Sequence, residues 1–95
     1  MRITTHPGEI LREEFMIPLG LSANAVATAL RVPATRIGEI IKGDRAVSAD
    51  TALRLARYFR TTPQFWLNLQ NNYDLSKVAS ETGQQIEHDV SPRAA

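Results

Sequence analysis

Apolar residues recur every three to four positions along most of the chain, which is the spacing of helices that bury one face. Five groups show it: Leu11 and Phe15; Val26, Ala27 and Leu30; Ile37, Ile40 and Ile41; Ala52, Leu55, Ala56 and Phe59; Phe65, Trp66, Leu69 and Tyr73. We find no stretch that alternates apolar and polar residues, as a half-buried strand does. The sequence therefore predicts an all-α domain of five helices.

Residues that start and stop helices predict where these five begin and end. Ser22, Ser48 and Thr62 suit N-cap positions, and Pro7 and Pro63 suit the first helical position. The first helix is expected to end before Pro18, with Gly20 turning the chain. The third is expected from about Pro33 to Lys42, followed by Gly43 in a left-handed conformation.

The end of the chain differs in composition from the rest. A weaker helical stretch is predicted for Leu75 to Ser80, and from Glu81 onward only Ile86 and Val90 are larger apolar residues. A segment with so little to bury is expected to stay mobile. We predict a single domain over residues 1–80 and a flexible, disordered C-terminal tail over residues 81–95.

The charge is unevenly distributed, although the formal net charge is only +1. Residues 22–60 carry seven Lys and Arg and three acids, a net charge of +4, whereas residues 1–21 carry −1 and residues 61–95 carry −2. A basic block attracts the phosphates of nucleic acid. The same block is also compatible with an ordinary solvated helical surface, so charge alone leaves the function open.

The segment from Leu21 to Gly43 predicts a helix-turn-helix. Two short helices joined at Arg31-Val32-Pro33 can cross steeply only if the residues between them are small, and Ala27 meets that need. Val32 is expected to enter the core just after the turn, and Ile37 and Ile40 to anchor the second helix. Its other face then carries small or polar residues, namely Ala34, Thr35, Gly38, Glu39 and Lys42. Such a helix fits the major groove of DNA.

The spacing of Ala27, Val32, Ile37 and Ile40 resembles the helix-turn-helix of the Xre/Cro-type repressors, which share a lambda-repressor-like fold. One departure is Arg31, because the family favours glycine at this turn. Arginine there must adopt a left-handed backbone, which costs it more than glycine. It also places a basic side chain beside the predicted DNA-binding face.

A wider resemblance covers about Thr5 to Ala79. The segments H-P-G-E-I-L (6–11), S-A-D-T-A-L-R-L-A-R-Y-F (48–59) and T-P-Q-F-W-L-N-L-Q-N-N-Y-D-L (62–75) are similar to the HigA/VapI-type antitoxins. The resemblance implies a dimer that binds an inverted-repeat operator, represses its own operon, and neutralises a RelE-like ribonuclease toxin, HigB. Two alternatives stay open: a stand-alone Xre-type repressor without a toxin, and a protein-interaction module whose helix-turn-helix no longer binds DNA.

Candidate DNA-contacting residues lie on and around the predicted recognition helix: Asn24, Arg31, Ala34, Thr35, Arg36, Glu39, Lys42 and Arg45. Thr35 and Arg36 are expected to contact bases or phosphates, and Lys42 and Arg45 to bind phosphates. Glu39 either accepts from a cytosine amino group or orients Arg36 three residues away, and we favour the second role. Asn24 is either a phosphate contact or a surface amide.

Phe65, Trp66, Leu69 and Tyr73 in the fifth predicted helix are most simply core residues. Their aromatic area exceeds what a core of this size requires, so a dimer surface is the alternative for some of them. We predict that Phe65, Trp66, Leu69, Tyr73 and Leu75 form much of a homodimer contact. Consecutive helical residues lie about 100° apart, so of Phe65 and Trp66 one is expected in the core and one near its edge.

Several other classes of function lack support in the sequence. His6 and His88 have no companion metal ligands, no Ser/His/Asp grouping is present, and there is no glycine-rich phosphate loop. We therefore predict no enzyme activity, cofactor, metal or small-molecule substrate. The chain has no cysteine and no long apolar run, so we expect a cytoplasmic protein with no membrane contact.

Overall fold

The computed structural model describes residues 2–94, and all regular structure in that range is helical. Helix α1 is one continuous helical segment made of Pro7–Ile10, a π-helical part Leu11–Met16, and Ile17–Leu19. The others are α2 (Ala23–Leu30), α3 (Ala34–Ile41), α4 (Ala49–Phe59) and α5 (Pro63–Asp89). The predicted all-α architecture of five helices is confirmed.

The predicted start signals act as caps. The Ser22 hydroxyl accepts from the Ala25 N–H at 3.1 Å, Ser48 accepts from Thr51 at 3.3 Å, and Thr62 accepts from Phe65 at 3.1 Å. His6 caps α1 in the same way, with Nδ1 accepting from the Gly8 N–H at 2.9 Å. At the C-terminal ends of α1, α2, α3 and α4 the chain turns through a residue with a left-handed backbone. These residues are Gly20, Arg31, Gly43 and Arg60 respectively.

The prediction that the first helix ends before Pro18 is wrong, because α1 continues to Leu19. In an ordinary α-helix, a proline removes one hydrogen bond and its ring meets the carbonyl four residues earlier. Here the preceding turn is π-helical, and the Ile17 N–H donates to the Arg12 carbonyl five residues back. This wider turn makes room for the proline ring.

The weaker helical stretch predicted for Leu75 to Ser80 is not separate from the aromatic helix before it. Both belong to α5, which runs without interruption to Asp89 and is about 40 Å long. Side-chain hydrogen bonds spaced four residues apart extend past Ser80, such as that from Gln85 to Asp89 at 2.8 Å. Because almost every residue beyond Ser80 is exposed, this end of the helix gains nothing from tertiary packing, and its flexibility stays a prediction.

The core lies where all five helices meet. Its buried apolar residues are Leu11, Met16, Val26, Ala27, Leu30, Ile37, Ile40, Val47, Ala52, Leu55, Ala56 and Trp66. The Trp66 ring packs 5.1 Å from that of Phe15 and donates its N–H to the Thr61 hydroxyl at 2.8 Å. Helix α5 thus closes the core beneath the first four helices.

The loop between α3 and α4 is fixed from below by α5. The buried Gln70 side chain accepts from the Val47 N–H at 2.8 Å and donates to Asp74 at 2.9 Å. On the N-terminal side, the Thr4 N–H donates to the buried Ser76 hydroxyl at 2.9 Å. The Gln70 contact therefore fixes the end of the loop before α4, and the Thr4 contact fixes the N-terminal segment against α5.

Candidate nucleic-acid interface

Helices α2 and α3 form the predicted helix-turn-helix. Arg31 ends α2 with φ 61°, and the Val32 N–H donates to the Ala27 carbonyl at 3.0 Å, which closes the turn. Ala27 is buried and Val32 packs against the core half-buried. The small buried residue lies at the contact between the two helices and the turn between them is tight, as the sequence predicts.

Helix α3 has two chemically distinct faces. Ile37 and Ile40 are completely buried beneath it. On the other side, Ala34, Thr35, Glu39 and Lys42 are exposed and Gly38 is half-exposed. An accessible helical face with short side chains at its N-terminal end has the shape that enters a major groove.

Arg31 occupies the left-handed turn position that glycine usually takes, and its side chain is exposed. The turn gains a compensating contact from α4, because Arg54 Nη1 donates to the Leu30 carbonyl at 2.8 Å. That carbonyl is one of those that the end of a helix leaves without a partner.

The partner of Arg36 differs from the sequence expectation. Arg36 Nη1 lies 2.9 Å from an Asp50 carboxylate oxygen, whereas Glu39 pairs with Arg45 at 2.9 Å. The idea that Glu39 orients Arg36 is therefore wrong. Asp50, in the first turn of α4, reaches the guanidinium instead, and Glu39 turns toward the loop that follows α3.

Asp50 follows the predicted N-cap Ser48, and a carboxylate is favourable in the first turn of a helix, which is all that the sequence indicates for it. In the structure the same Asp50 oxygen also accepts from Arg54 Nε at 2.9 Å. These two arginines lower the pKa of Asp50, with the hydrogen bond from Arg54 as the larger cause. The i, i+4 spacing of Asp50 and Arg54 was a visible signal, but nothing in the sequence indicated the pair with Arg36, fourteen residues away.

The remaining predicted DNA contacts surround α3. Asn24 is exposed near the start of α2, Lys42 is exposed at the C-terminal end of α3, and Arg45 is exposed in the loop that Gln70 supports. All the candidate DNA-contacting residues are accessible, Arg36 the least with 28% of its side chain exposed. They belong to the start of α2, the turn, α3 and the following loop.

The five candidate dimer residues are divided between core and surface. Trp66 is completely buried, so it belongs to the monomer core, and its inclusion in a contact surface was wrong. Phe65 is 38% exposed and Leu75 is 70% exposed. Leu69 and Tyr73 are half-buried, and the Tyr73 ring packs edge-on against that of His6 at 4.8 Å.

Residues 2–94 contain neither a candidate metal site nor a candidate membrane span. No group of three His, Cys, Asp or Glu side chains in that range is placed to hold a metal ion. Among the described helices, none is both long and apolar enough to cross a membrane.

The geometry of α2, the turn and α3 defines the class of protein: a helix-turn-helix domain. The helix-turn-helix family profile matches residues 11–66, more than half of the chain. Virulence-associated protein I of Dichelobacter nodosus is 57% identical over 81 residues, which are 85% of this chain and 74% of that protein. The chain therefore belongs to the Xre-type helix-turn-helix family, in the group that contains the HigA antitoxins and virulence-associated protein I.

Two solved structures with bound DNA are similar to this chain. Pseudomonas aeruginosa antitoxin HigA with the higBA promoter is 47% identical with a TM-score of 0.91, covering 95% of this chain and 98% of that one. Antitoxin GraA in complex with its operator is 46% identical with a TM-score of 0.93, covering 100% of this chain and 95% of that one.

Proposed function

We propose that this protein is a DNA-binding antitoxin that dimerises on an inverted-repeat operator, represses its own operon and neutralises a RelE-like, HigB-type ribonuclease. The observation that carries the proposal is the exposed polar face of α3, held above the buried Ile37 and Ile40. It is supported by the likeness to HigA and GraA, whose solved structures contain promoter or operator DNA.

On this proposal the exposed residues divide into two roles. Thr35 and Arg36, in the first turn of α3, reach base edges, and the small Ala34 lets the helix approach. Lys42 and Arg45, at the opposite end, bind phosphates, as do Arg31 at the turn and Asn24 near the start of α2. Pairing with Arg45 offsets the negative charge of Glu39, so its carboxylate opposes phosphate binding less than a free one would.

The two roles predict different effects of substitution. We would select preferred sequences from a random DNA pool and measure binding to them and to scrambled DNA over a range of salt. Thr35→Ala or Arg36→Ala should lose about 1–3 kcal/mol on the preferred site only. Lys42→Ala should weaken all sequences alike and reduce the salt slope by about one. Changed sequence preference in Lys42→Ala alone would reverse these roles, and no preferred sequence would refute specific binding.

A dimer would place two copies of α3 on one DNA face. The exposed Phe65 and Leu75 support α5 as the contact, since both leave large apolar area in water. Tyr73 and Leu75 are two positions apart and do not share a helix face. Because Tyr73 packs on His6, Leu75 is the better probe of an intermolecular contact.

Sedimentation of Leu75→Asp and Val90→Asp tests this dimer. Both changes place a carboxylate on an exposed aliphatic position, 70% and 64% accessible respectively, but Val90 lies beyond the end of α5. We expect Leu75→Asp to sediment as a folded monomer and Val90→Asp to remain a dimer. A dimeric Leu75→Asp protein at micromolar concentration would place the contact elsewhere.

The toxin is proposed to bind outside the α3 face, so that one antitoxin holds toxin and operator together. Toxin binding is supported by the chain's membership of the group that contains the HigA antitoxins. The test is to express the gene that neighbours the gene of this protein, with and without co-expression of this protein. Relief of growth arrest supports the antitoxin role, whereas operator binding without such relief leaves a stand-alone Xre-type repressor.

A further inference from the structure

Asp50 joins two arginines that come from different helices. One of its carboxylate oxygens accepts from Arg36 Nη1 on α3 and from Arg54 Nε on its own helix α4, both at 2.9 Å. The Asp50 carboxylate is exposed, with 57% of its side chain accessible, so it is not needed to neutralise a buried charge. Exposed ion pairs contribute little to stability, so stabilisation of the fold does not account for this arrangement.

The contacts continue from Asp50 to the other helix of the motif. Arg54 uses its second edge, donating from Nη1 to the Leu30 carbonyl at the end of α2 at 2.8 Å. The Leu30 carbonyl, Arg54, Asp50 and Arg36 therefore form one hydrogen-bonded series from the backbone of α2 to a side chain of α3. The position of Asp50 is fixed at its base, because Ser48 caps the first turn of α4.

This series restrains the Arg36 guanidinium. A guanidinium has five N–H donors in a planar fork, and fixing one of them on a carboxylate sets the direction of the rest. An unrestrained arginine populates many rotamers and binds any phosphate within reach, since phosphates carry no sequence information. A restrained arginine loses less conformational freedom when it meets the base for which it is aligned.

We propose that Asp50 is a specificity-determining positioning residue, which aligns Arg36 for base readout and withholds it from indiscriminate phosphate binding. The inference rests on the proposed DNA-binding function. It predicts that loss of the Asp50 charge leaves operator affinity nearly unchanged or lower, while affinity for other sequences rises. The ratio of operator to scrambled-DNA affinity then falls.

Asp50→Asn is the test variant and Asp44→Asn the matched control. Asp44 is an exposed acid in the loop after α3, and no Lys or Arg within residues 2–94 pairs with it. Both substitutions remove one negative charge near the same surface. Affinities for the selected operator and a scrambled duplex of equal length are measured at two salt concentrations, with melting temperatures as a check of folding.

We expect Asp44→Asn to strengthen both affinities by the same factor and leave their ratio unchanged. Asp50→Asn should lower the ratio about tenfold, the size of one good base contact. In an Arg36→Ala background Asp50→Asn should cause no further fall, because its action passes through Arg36. If Asp50→Asn fails to fold, Asp50→Ser, which is suited to a first helical turn, takes its place.

Three results separate the possible failures. An unchanged ratio in the folded Asp50 variant overturns the inference, and so does an equal fall in the Arg36→Ala background. A wild-type protein with no preference for any sequence refutes the proposed function itself, whatever Asp50 does.

Discussion

At the scale of single residues, Gly8 shows how closely α1 approaches α3. A Cβ atom at Gly8 would overlap the Ile40 carbonyl group, whereas one at Gly38 would meet nothing within 4 Å. We therefore expect Gly8→Ala to destabilise the protein by about 1–3 kcal/mol through overpacking. Gly38→Ala should stabilise it by roughly 0.5–1 kcal/mol, because alanine is the better helix former. Urea unfolding of both variants measures this, and equal effects would refute the close contact.

His6 predicts a dependence of stability on pH. Its Nδ1 must be unprotonated to cap α1, and burial lowers its pKa from 6.5 against the opposing effect of Asp74 and Asp44. The unfolded chain therefore takes up a proton at higher pH than the folded chain. The stability that the neutral His6 side chain contributes is therefore complete above pH 6.5 and is lost as the pH falls below that value.

The matched variant is His6→Asn, since asparagine is a good N-cap that does not titrate. Between about pH 7.5 and about pH 5.5 the free energy of unfolding should fall further in the wild type than in His6→Asn. Parallel losses in the two proteins would show that His6 does not titrate with folding.

At the scale of helices, α2 and α4 are each followed by an arginine in a left-handed conformation, which glycine adopts at a lower cost in free energy. Arg31 and Arg60 have φ of 61° and 59°. Replacing either with glycine should stabilise the protein by roughly 1 kcal/mol by removing left-handed strain. Both changes remove one positive charge, but only Arg31→Gly should weaken operator binding, because Arg31 lies beside α3. Thermal unfolding and DNA titration measure the two effects, and a similar loss of binding in Arg60→Gly would contradict the role given to Arg31.

The helices were predictable where local chemistry determines them. Ser22, Ser48 and Thr62 cap helices in the structure because a hydroxyl before an apolar repeat satisfies an early N–H. Pro18 was misjudged, since the π-helical turn that accommodates it has no sequence signal of its own. The length of α5 was misjudged as well, because polar composition does not distinguish an exposed helix from irregular chain.

At the scale of the whole molecule, the features of the site that depend on contacts between distant residues could not be predicted from the sequence. The exposed face of α3 followed from the spacing of Ile37 and Ile40, because both are buried. The pairing of Arg36 with Asp50 did not, since the loop after α3 brings them together only in the folded chain. Likewise, burial of Trp66 and exposure of Phe65 depend on how α5 lies across the core.

The central claim is that two copies of α3 read an inverted repeat. Footprinting on the DNA upstream of its own gene, at moderate salt, tests it most directly. We expect one protected site with two inverted half-sites about 34 Å apart, one turn of the duplex, because both recognition helices must reach the same face. Thr35→Ala should lose this protection at concentrations where the wild type is bound. Absence of any defined protected site, or protection without a repeat, would contradict the account.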